Sequence, residues 1–372
     1  MPETALESIT IRGFKSIASI ENLSLKPINV LIGSNGSGKS NFIGVFSFLH
    51  AIREGRLSDY VSKAGGADRI LHFGSKVTSD IYIHLSFRNA LNQYSLRLTS
   101  TADDSLVPAS ETVSFWDKSR YNQPYENYLI SREGGREAGI SSPSASKVAS
   151  WIKIRLGGWR MYHVHDTSSS SPMRKTAKID DNQFLRPDGS NLASFLYFLQ
   201  QKHERSYDLI RKTIQRVAPF FDDFRLAPQR LSPENISLEW RHTNSDQYFN
   251  ASSLSDGTLR FIVLATLFLQ PNSFMPTTII VDEPELGLHP YAIGALAALI
   301  RQASKTTQVI VSTQSSLLLD HFEPDDVIVA NRVNGGTTIS RLDSSNLGDW
   351  LSEYSLGQLW EKNELLGRPS PE

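Results

Sequence analysis

The eight residues GSNGSGKS (33–40) constrain this chain more than any other stretch. They fit the pattern Gly-x-x-x-x-Gly-Lys-Ser/Thr. In a chain of 372 residues such a fit arises by chance about 1% of the time at average residue frequencies. The flanks obey the pattern's physical logic. PINVLIG (27–33) reads as a strand, and an apolar-periodic stretch from Lys39 to about Glu54 reads as a helix. Gly36 and Gly38 let backbone N–H groups turn inward on a phosphate, and the helix N-terminus adds a favourable field. The expected ATP-binding set is Asn35, Gly36, Ser37, Gly38, Lys39, Ser40 and Asn41. Lys39 is expected to reach the β- and γ-phosphates, and Ser40 to ligate Mg²⁺.

A second segment supplies acids. IIVDEPELGLHP (279–290) places Asp282 and Glu283 at the end of a buried, β-branched strand, the end where ligands bind in parallel α/β sheets. Asp282 is expected to hold the Mg²⁺ water shell and Glu283 to polarise the attacking water. Phosphoryl transfer asks for positioning and charge neutralisation rather than covalent chemistry, so few residues suffice.

The order of elements gives the fold class. The last third alternates TTIIVDEPE, YAIGALAALIRQ, QVIVSTQ and DVIVANRV, the strand–helix pattern of a mainly parallel α/β sheet. ESITIRGFKSI (7–17) reads as one strand. Residues 79–132 hold four alternating segments, which predict an antiparallel β meander. SREGGREAGISSPSASK (131–147) reads as a loop, and WRMYHVHD (159–166) as a strand. Helices are expected from about 190 to 219, and a strand over 236–242. The domain reading is a single ATPase head over 1–366. One lobe spans approximately 1–165 with 270–345, and a helical lobe spans approximately 166–269. A disordered tail is expected at 367–372.

Composition removes other classes. The chain has no cysteine, which excludes disulfides, cysteine zinc sites and thiol catalysis. Net charge is −1, so nucleic acid would need a local basic patch. The apolar run FIVLATLFLQ (261–270) is half of a bilayer span, and the N-terminus lacks the apolar core of a signal peptide. The expectation is a cytoplasmic chain with no membrane partner.

With those motifs in place, LSDGT (254–258), just ahead of the DEPE strand, resembles the signature loop of ABC ATPases. The resemblance implies that Ser255 and the Gly257 amide contact the γ-phosphate of a second subunit's ATP. LGLHP (286–290) resembles the dimer-contact D-loop. Gln314, in VIVSTQS, stands where the family usually places a switch histidine; it can hydrogen-bond but takes no positive charge. Asp256 stands where ABC transporters usually carry glycine. ITIRGFKSI and DEPELGLHP are similar to the RecF, SMC and OLD branch. GGADRILHFG, YHVHDTS and LRPDGSNLASFL resemble its stand-alone AAA-type ATPases. The resemblance covers most of 5–335. It implies an ABC-type P-loop ATPase head with two lobes, made of a mixed sheet, an antiparallel meander and a helical insertion. It also implies an ATP-dependent homodimer. Glu283 and Gln314 are the catalytic candidates, and the task is acting on or sensing DNA in repair or anti-phage defence.

About 40 residues follow the strand at 326–333, too few for the nuclease domain of OLD enzymes. A separately encoded nuclease or toxin effector, regulated by this chain, is therefore the alternative expectation. Other groups stay open. Gln93 is a candidate Q-loop residue. Arg12 and Lys15 are candidates for approach to the nucleotide. His163, His165 and Asp166 are either metal ligands or a hydrogen-bonded strand end. Arg174, Lys175 and Lys178 could form a basic loop, and Arg211, Lys212 and Arg216 a basic helix face.

Overall fold

A computed structural model describes residues 5–129, 135–143 and 146–365. The protein is α/β and divides into two compact units, Met1–Trp159 with Glu323–Glu372, and Arg160–Phe322.

The first unit opens with β1 (Leu6–Phe14) and β2 (Ile17–Ser24), paired antiparallel. The single strand expected over 7–17 is therefore two. The turn uses Gly13 (φ 74°) and Lys15 (φ 49°), both left-handed. β2 buries Ile17, Ile20 and Leu23 at a spacing of three, with a bulge in the pairing, so no period-2 pattern announces it. β3 (Ile28–Ile32) buries all five residues and feeds the Gly-rich loop and α1 (Lys39–Arg53), followed by α2 (Leu57–Ala64).

The expected meander forms from β4 (Asp80–Phe87), β5 (Asn92–Ser100), β6 (Leu106–Phe115) and β7 (Tyr125–Tyr128). It is antiparallel throughout, and β1 joins its edge, giving the order β2-β1-β4-β5-β6-β7. One face is apolar: Ile81, Ile83, Leu85 and Phe87 are all buried. α3 (Lys147–Gly157) packs on β5 and β6 and against α1. Part of the loop expected over 131–147 lies outside the described residues, as does the expected tail.

Glu111 of β6 fastens the segment ahead of α3. It is 1% exposed and accepts hydrogen bonds from Tyr94 Oη (2.8 Å) and from the N–H groups of Gly139 (2.5 Å) and Ile140 (3.0 Å). Burial raises its pKa above the ordinary carboxylate value.

β8 (Trp159–Tyr162) leads into the second unit and stops four residues earlier than expected. The His163 N–H turns to Pro187 O (3.0 Å), and the next two carbonyls are taken by Arg260, so no ladder continues. Next come β9 (Ala177–Lys178), α4 (Leu192–Lys202) and α5 (Glu204–Val217), the helices expected from 190 to 219. β10 (Phe221–Arg225), β11 (Pro228–Gln229), β12 (Ser232–Ile236), β13 (Glu239–His242) and β14 (Tyr248–Asn250) follow. They build two small antiparallel sheets, β10-β13-β14 and β11-β12-β9. The strand expected over 236–242 is thus split between two sheets.

α6 (Asp256–Leu269) is buried at every position from Leu259 to Leu269 and packs on α5 and α7 (Pro290–Ala303). β15 (Thr278–Asp282) pairs parallel with β16 (Gln308–Ser312), in register from Thr278↔Gln308 to Asp282↔Ser312. The short α8 (Ser316–Leu319) ends this unit. The chain returns to the first unit with β17 (Val327–Val333), parallel to β3, and β18 (Gly336–Arg341), antiparallel to β17. It closes with α9 (Gly348–Leu351) and α10 (Leu356–Lys362).

Glu111→Ala should orphan two backbone N–H groups, one of them fully buried, and one buried hydroxyl. The expected loss is about 2–4 kcal/mol of stability, read as a lower chemical denaturation midpoint with an unchanged m-value.

Candidate functional site

The Gly-rich loop in the first unit owes its shape to close backbone approaches. Gly36 lies at φ 79° with nothing within 4 Å of where a Cβ would stand, so one side of the loop is open. Gly38 is the left-handed N-cap of α1 (φ 100°). A Cβ there would stand 1.9 Å from Thr337 Oγ1. At Gly33 it would stand 2.4 Å from Ala330 O. Lys39 is 7% exposed, and its Nζ donates to Gly33 O (2.6 Å) and Ser34 O (3.0 Å). The Ser37 hydroxyl is buried and has no partner, while Asn35, Gly36 and Ser40 are exposed. A buried cation, an orphan hydroxyl and an open glycine at a helix N-terminus are the features that an anionic phosphate group satisfies.

The loop is braced from behind by Thr337, which carries no motif, together with Ser16 and Asn41. Thr337 Oγ1 donates to Ser37 O (2.9 Å) and sits 2.7 Å from Ser16 Oγ, which accepts from Asn41 Nδ2 (2.6 Å). The Thr337 N–H also donates to Ser16 O (2.7 Å). Beside this brace lies a cavity of about 670 Å³ lined by Lys15, Ser16, Asn41, Arg69, Phe73 and Arg332, among others. Phe73 is 57% exposed and left-handed (φ 54°). Lys15 thus lines this cavity, and burial lowers its pKa. Arg12 instead pairs with Glu21 at 2.6 Å.

In the second unit the acids leave the end of β15. Glu283 is left-handed at φ 41°, a conformation a non-glycine residue keeps only when its surroundings enforce it. Its N–H donates to Ser312 O (2.7 Å), and its Oε1 accepts from Gln314 Nε2 (2.5 Å). The structure thus brings the candidate acid and the residue at the switch position into direct contact. Asp282 is half-buried, with His165 Nε2 3.9 Å from Oδ2. Glu285 is buried, which raises its pKa, and it accepts from Thr313 Oγ1 (2.5 Å). Its second oxygen and the Ser312 hydroxyl are buried without partners. Asp282 offers a half-buried carboxylate and Ser40 an exposed hydroxyl, oxygen donors of the chemical kind Mg²⁺ takes.

The LSDGT loop caps α6. Ser255 Oγ accepts from the Thr258 N–H (3.2 Å), and Ser255 and Asp256 are exposed. Gly257 faces the segment resembling a D-loop; a Cβ on Gly257 would stand 2.3 Å from Gly287 O. Arg174 is not part of an open basic loop. Its side chain is 7% exposed, and it donates to Thr167 O (3.0 Å), Ala251 O, Leu254 O (3.2 Å) and Asp256 Oδ1 (2.8 Å). It therefore holds the acid that stands where transporters carry glycine.

Gln93 lies in β5 and donates to Ala90 O at 2.8 Å, closing a turn. Arg211 is paired with Asp208 and Asp223, so the helix face it shares with Lys212 and Arg216 is partly neutralised. Among the described residues no three His, Cys, Asp or Glu side chains group as a metal site; His163 and His165 have ring centroids 6.5 Å apart. No helix among the described residues is long and apolar enough to cross a membrane.

These features are those of an ABC-type nucleotide-binding head. The family model described as "AAA domain, putative AbiEii toxin, Type IV TA system" matches residues 28–320, and the chain belongs to that ABC-type ATPase family. Chromosome segregation protein sudA of Emericella nidulans is 25% identical over 249 residues, 58% of this chain and 20% of that protein. Structural maintenance of chromosomes protein 3 of Arabidopsis thaliana is 21% identical over 266 residues, 63% of this chain and 21% of that protein. The chain spans about a fifth of the length of these relatives. Among solved structures, an Smc head bound to the C-terminal winged-helix domain of ScpA covers 92% of this chain and 99% of its own, with 16% identity and a TM-score of 0.61. A Pyrococcus furiosus Smc head domain with an extended coiled coil, bound to the C-terminal domain of ScpA, covers 94% and 98%, with 15% identity and a TM-score of 0.55. The fold is that of an SMC head domain, as expected from the motifs.

Thr337→Val keeps the shape and removes the hydroxyl that holds Ser37. ATP affinity should fall about tenfold, equivalent to about 1.4 kcal/mol. Titration calorimetry with a non-hydrolysable ATP analogue checks this; wild-type affinity would remove the brace from the site.

Proposed function

We propose that this chain binds and hydrolyses ATP as a head that closes into a homodimer around two nucleotides, and that the cycle acts on DNA in repair or defence. The observation that carries the ATPase reading is the Gln314–Glu283 hydrogen bond on a backbone held at φ 41°. An amide donor fixes one carboxylate oxygen and leaves the other to accept a proton from water. Such an orienting contact suits a group that positions a nucleophile.

Residue roles follow from the chemistry. Asn35, Gly36, Ser37 and Gly38 would present N–H groups to the phosphates, and Lys39 would supply charge to the β- and γ-phosphates. Asn41 would keep the loop in register through Ser16. The cavity beside the brace offers an exposed aromatic ring and basic groups for a nucleoside. Mg²⁺ would be held by Ser40 and Asp282 and would supply neutralisation of the growing phosphate charge. Glu283 would orient water, with Gln314 fixing Glu283. Ser255 and the Gly257 amide would meet the partner subunit's γ-phosphate. Ser255 is exposed at a helix N-terminus; Leu286, beside Gly287, and Tyr291, in the first turn of α7, are 50% and 59% exposed. That exposure suits a face covered by a second copy. Cleaving the γ-phosphate would remove the contacts that hold the closed state. The DNA part rests on relatives named for chromosome segregation and maintenance.

Glu283→Gln should bind ATP and accumulate as a dimer, with hydrolysis reduced at least about 100-fold, on the scale of losing a positioned general base. Light scattering with saturating ATP and Mg²⁺ reads this, and a variant that stays monomeric ends the dimer reading. Lys39→Ala should lose ATP binding. Ser255→Arg should bind ATP as a monomer and fail to dimerise. For DNA, mobility shift at low salt should show binding that depends on ATP; its absence ends that part alone.

A further inference from the structure

Arg260 lies one turn into α6 behind the LSDGT loop and is 3% exposed. A buried guanidinium is costly unless its donors are used. Here Nε donates to Val164 O (2.9 Å) and Nη2 to His165 O (3.0 Å). The third nitrogen points at the D-loop: a Cβ added to Gly287 would stand 3.2 Å from Nη1. The charges facing it are Asp256, in the signature loop, and Glu285, after Glu283.

This one side chain therefore touches or faces the signature loop, the D-loop and the segment of the acids, and reaches the switch position through Glu285. The signature loop is on its own helix. The D-loop meets it at Gly287 and meets the signature loop directly at Gly257. The 164–165 carbonyls it holds carry His165 beside Asp282. Glu285 links through Thr313 to Gln314, and Gln314 holds Glu283. No other residue type fits the geometry: a planar fork can serve two adjacent carbonyls and a third segment, whereas lysine offers a point charge.

We propose that Arg260 is a positioning residue that couples the signature loop of a subunit to the Asp282–Glu285 acids of the same subunit. Movement imposed on the loop by a partner's phosphate is thereby passed to Glu283 and Asp282. The inference rests on the ATP-dependent head dimer proposed above.

The alternative is an arginine that only staples α6 into the core, and the two separate in the pattern of losses. The full-length protein is made as wild type, Arg260→Gln and Arg260→Lys. ATP affinity, ATP-dependent dimerisation, steady-state ATPase and melting temperature are measured on each. Coupling predicts ATP affinity within twofold of wild type, dimers still formed at saturating ATP, and a kcat at least tenfold lower. It also predicts that Lys restores the melting temperature and leaves kcat low. Gly287→Ala keeps the charge but adds a Cβ 3.2 Å from Nη1 on a left-handed backbone (φ 76°), so it disturbs the D-loop end of the same contact; it should show the same split and serves as the test if Arg260→Gln does not fold. A kcat within twofold of wild type in Arg260→Gln or Gly287→Ala overturns the inference. So does a parallel loss of binding, dimer and kcat that Lys rescues together. A wild type that binds ATP without dimerising overturns the proposed dimer instead, and this coupling with it.

Discussion

The backbone hydrogen bond from the Glu283 N–H to Ser312 O is the constraint on which the second unit's chemistry depends. It extends the parallel β15–β16 register one residue past the strand end and holds Glu283 left-handed. Such a conformation costs of order 1–3 kcal/mol, so the surrounding packing must over-determine it. The buried apolar residues of β15 and β16 provide that packing. The return is that Glu283 leaves the strand aimed at Gln314, which sits just beyond the other strand of the pair.

Buried charge is the second organising feature. Arg174 and Arg260, each almost fully buried, spend their donors largely on main-chain carbonyls. A carbonyl cannot lose its acceptor by protonation, so these anchors keep their hold across a wide pH range. They fix the 164–167 and 251–256 segments, which also bury Val164, Ala251 and Leu254. Asp256 shows the consequence: Arg174, 2.8 Å away, pairs with an acid that stands beside Ser255.

The residues with motif-like patterns were legible because their chemistry is local. GSNGSGKS and DEPE each need only a strand end, a turn and neighbouring residues, and the α/β class follows from their order. The meander was legible from alternation at 80–100. β2 was not, because its bulged pairing breaks the alternation. The shortened β8 was not, since His163 and the two residues after it exchange the ladder for Pro187 and Arg260, partners far off in sequence. Ser16, Thr337, Arg174 and Arg260 were illegible as site residues for the same reason: each acts through a contact that no spacing along the chain encodes. Asp256 could be seen as a departure, but not that a buried arginine compensates it.

The brace between Ser37 and Thr337 joins residues 300 positions apart. Closing so long a loop comes late in folding, and during synthesis the N-terminal end of a chain emerges first. The Gly-rich loop is made early but reaches its final shape only when β18 has been synthesised and paired with β17. A chain in which β18 has not yet paired with β17 therefore carries an unbraced Gly-rich loop. The acids and the LSDGT loop precede β18 in sequence, so both can form before that brace closes.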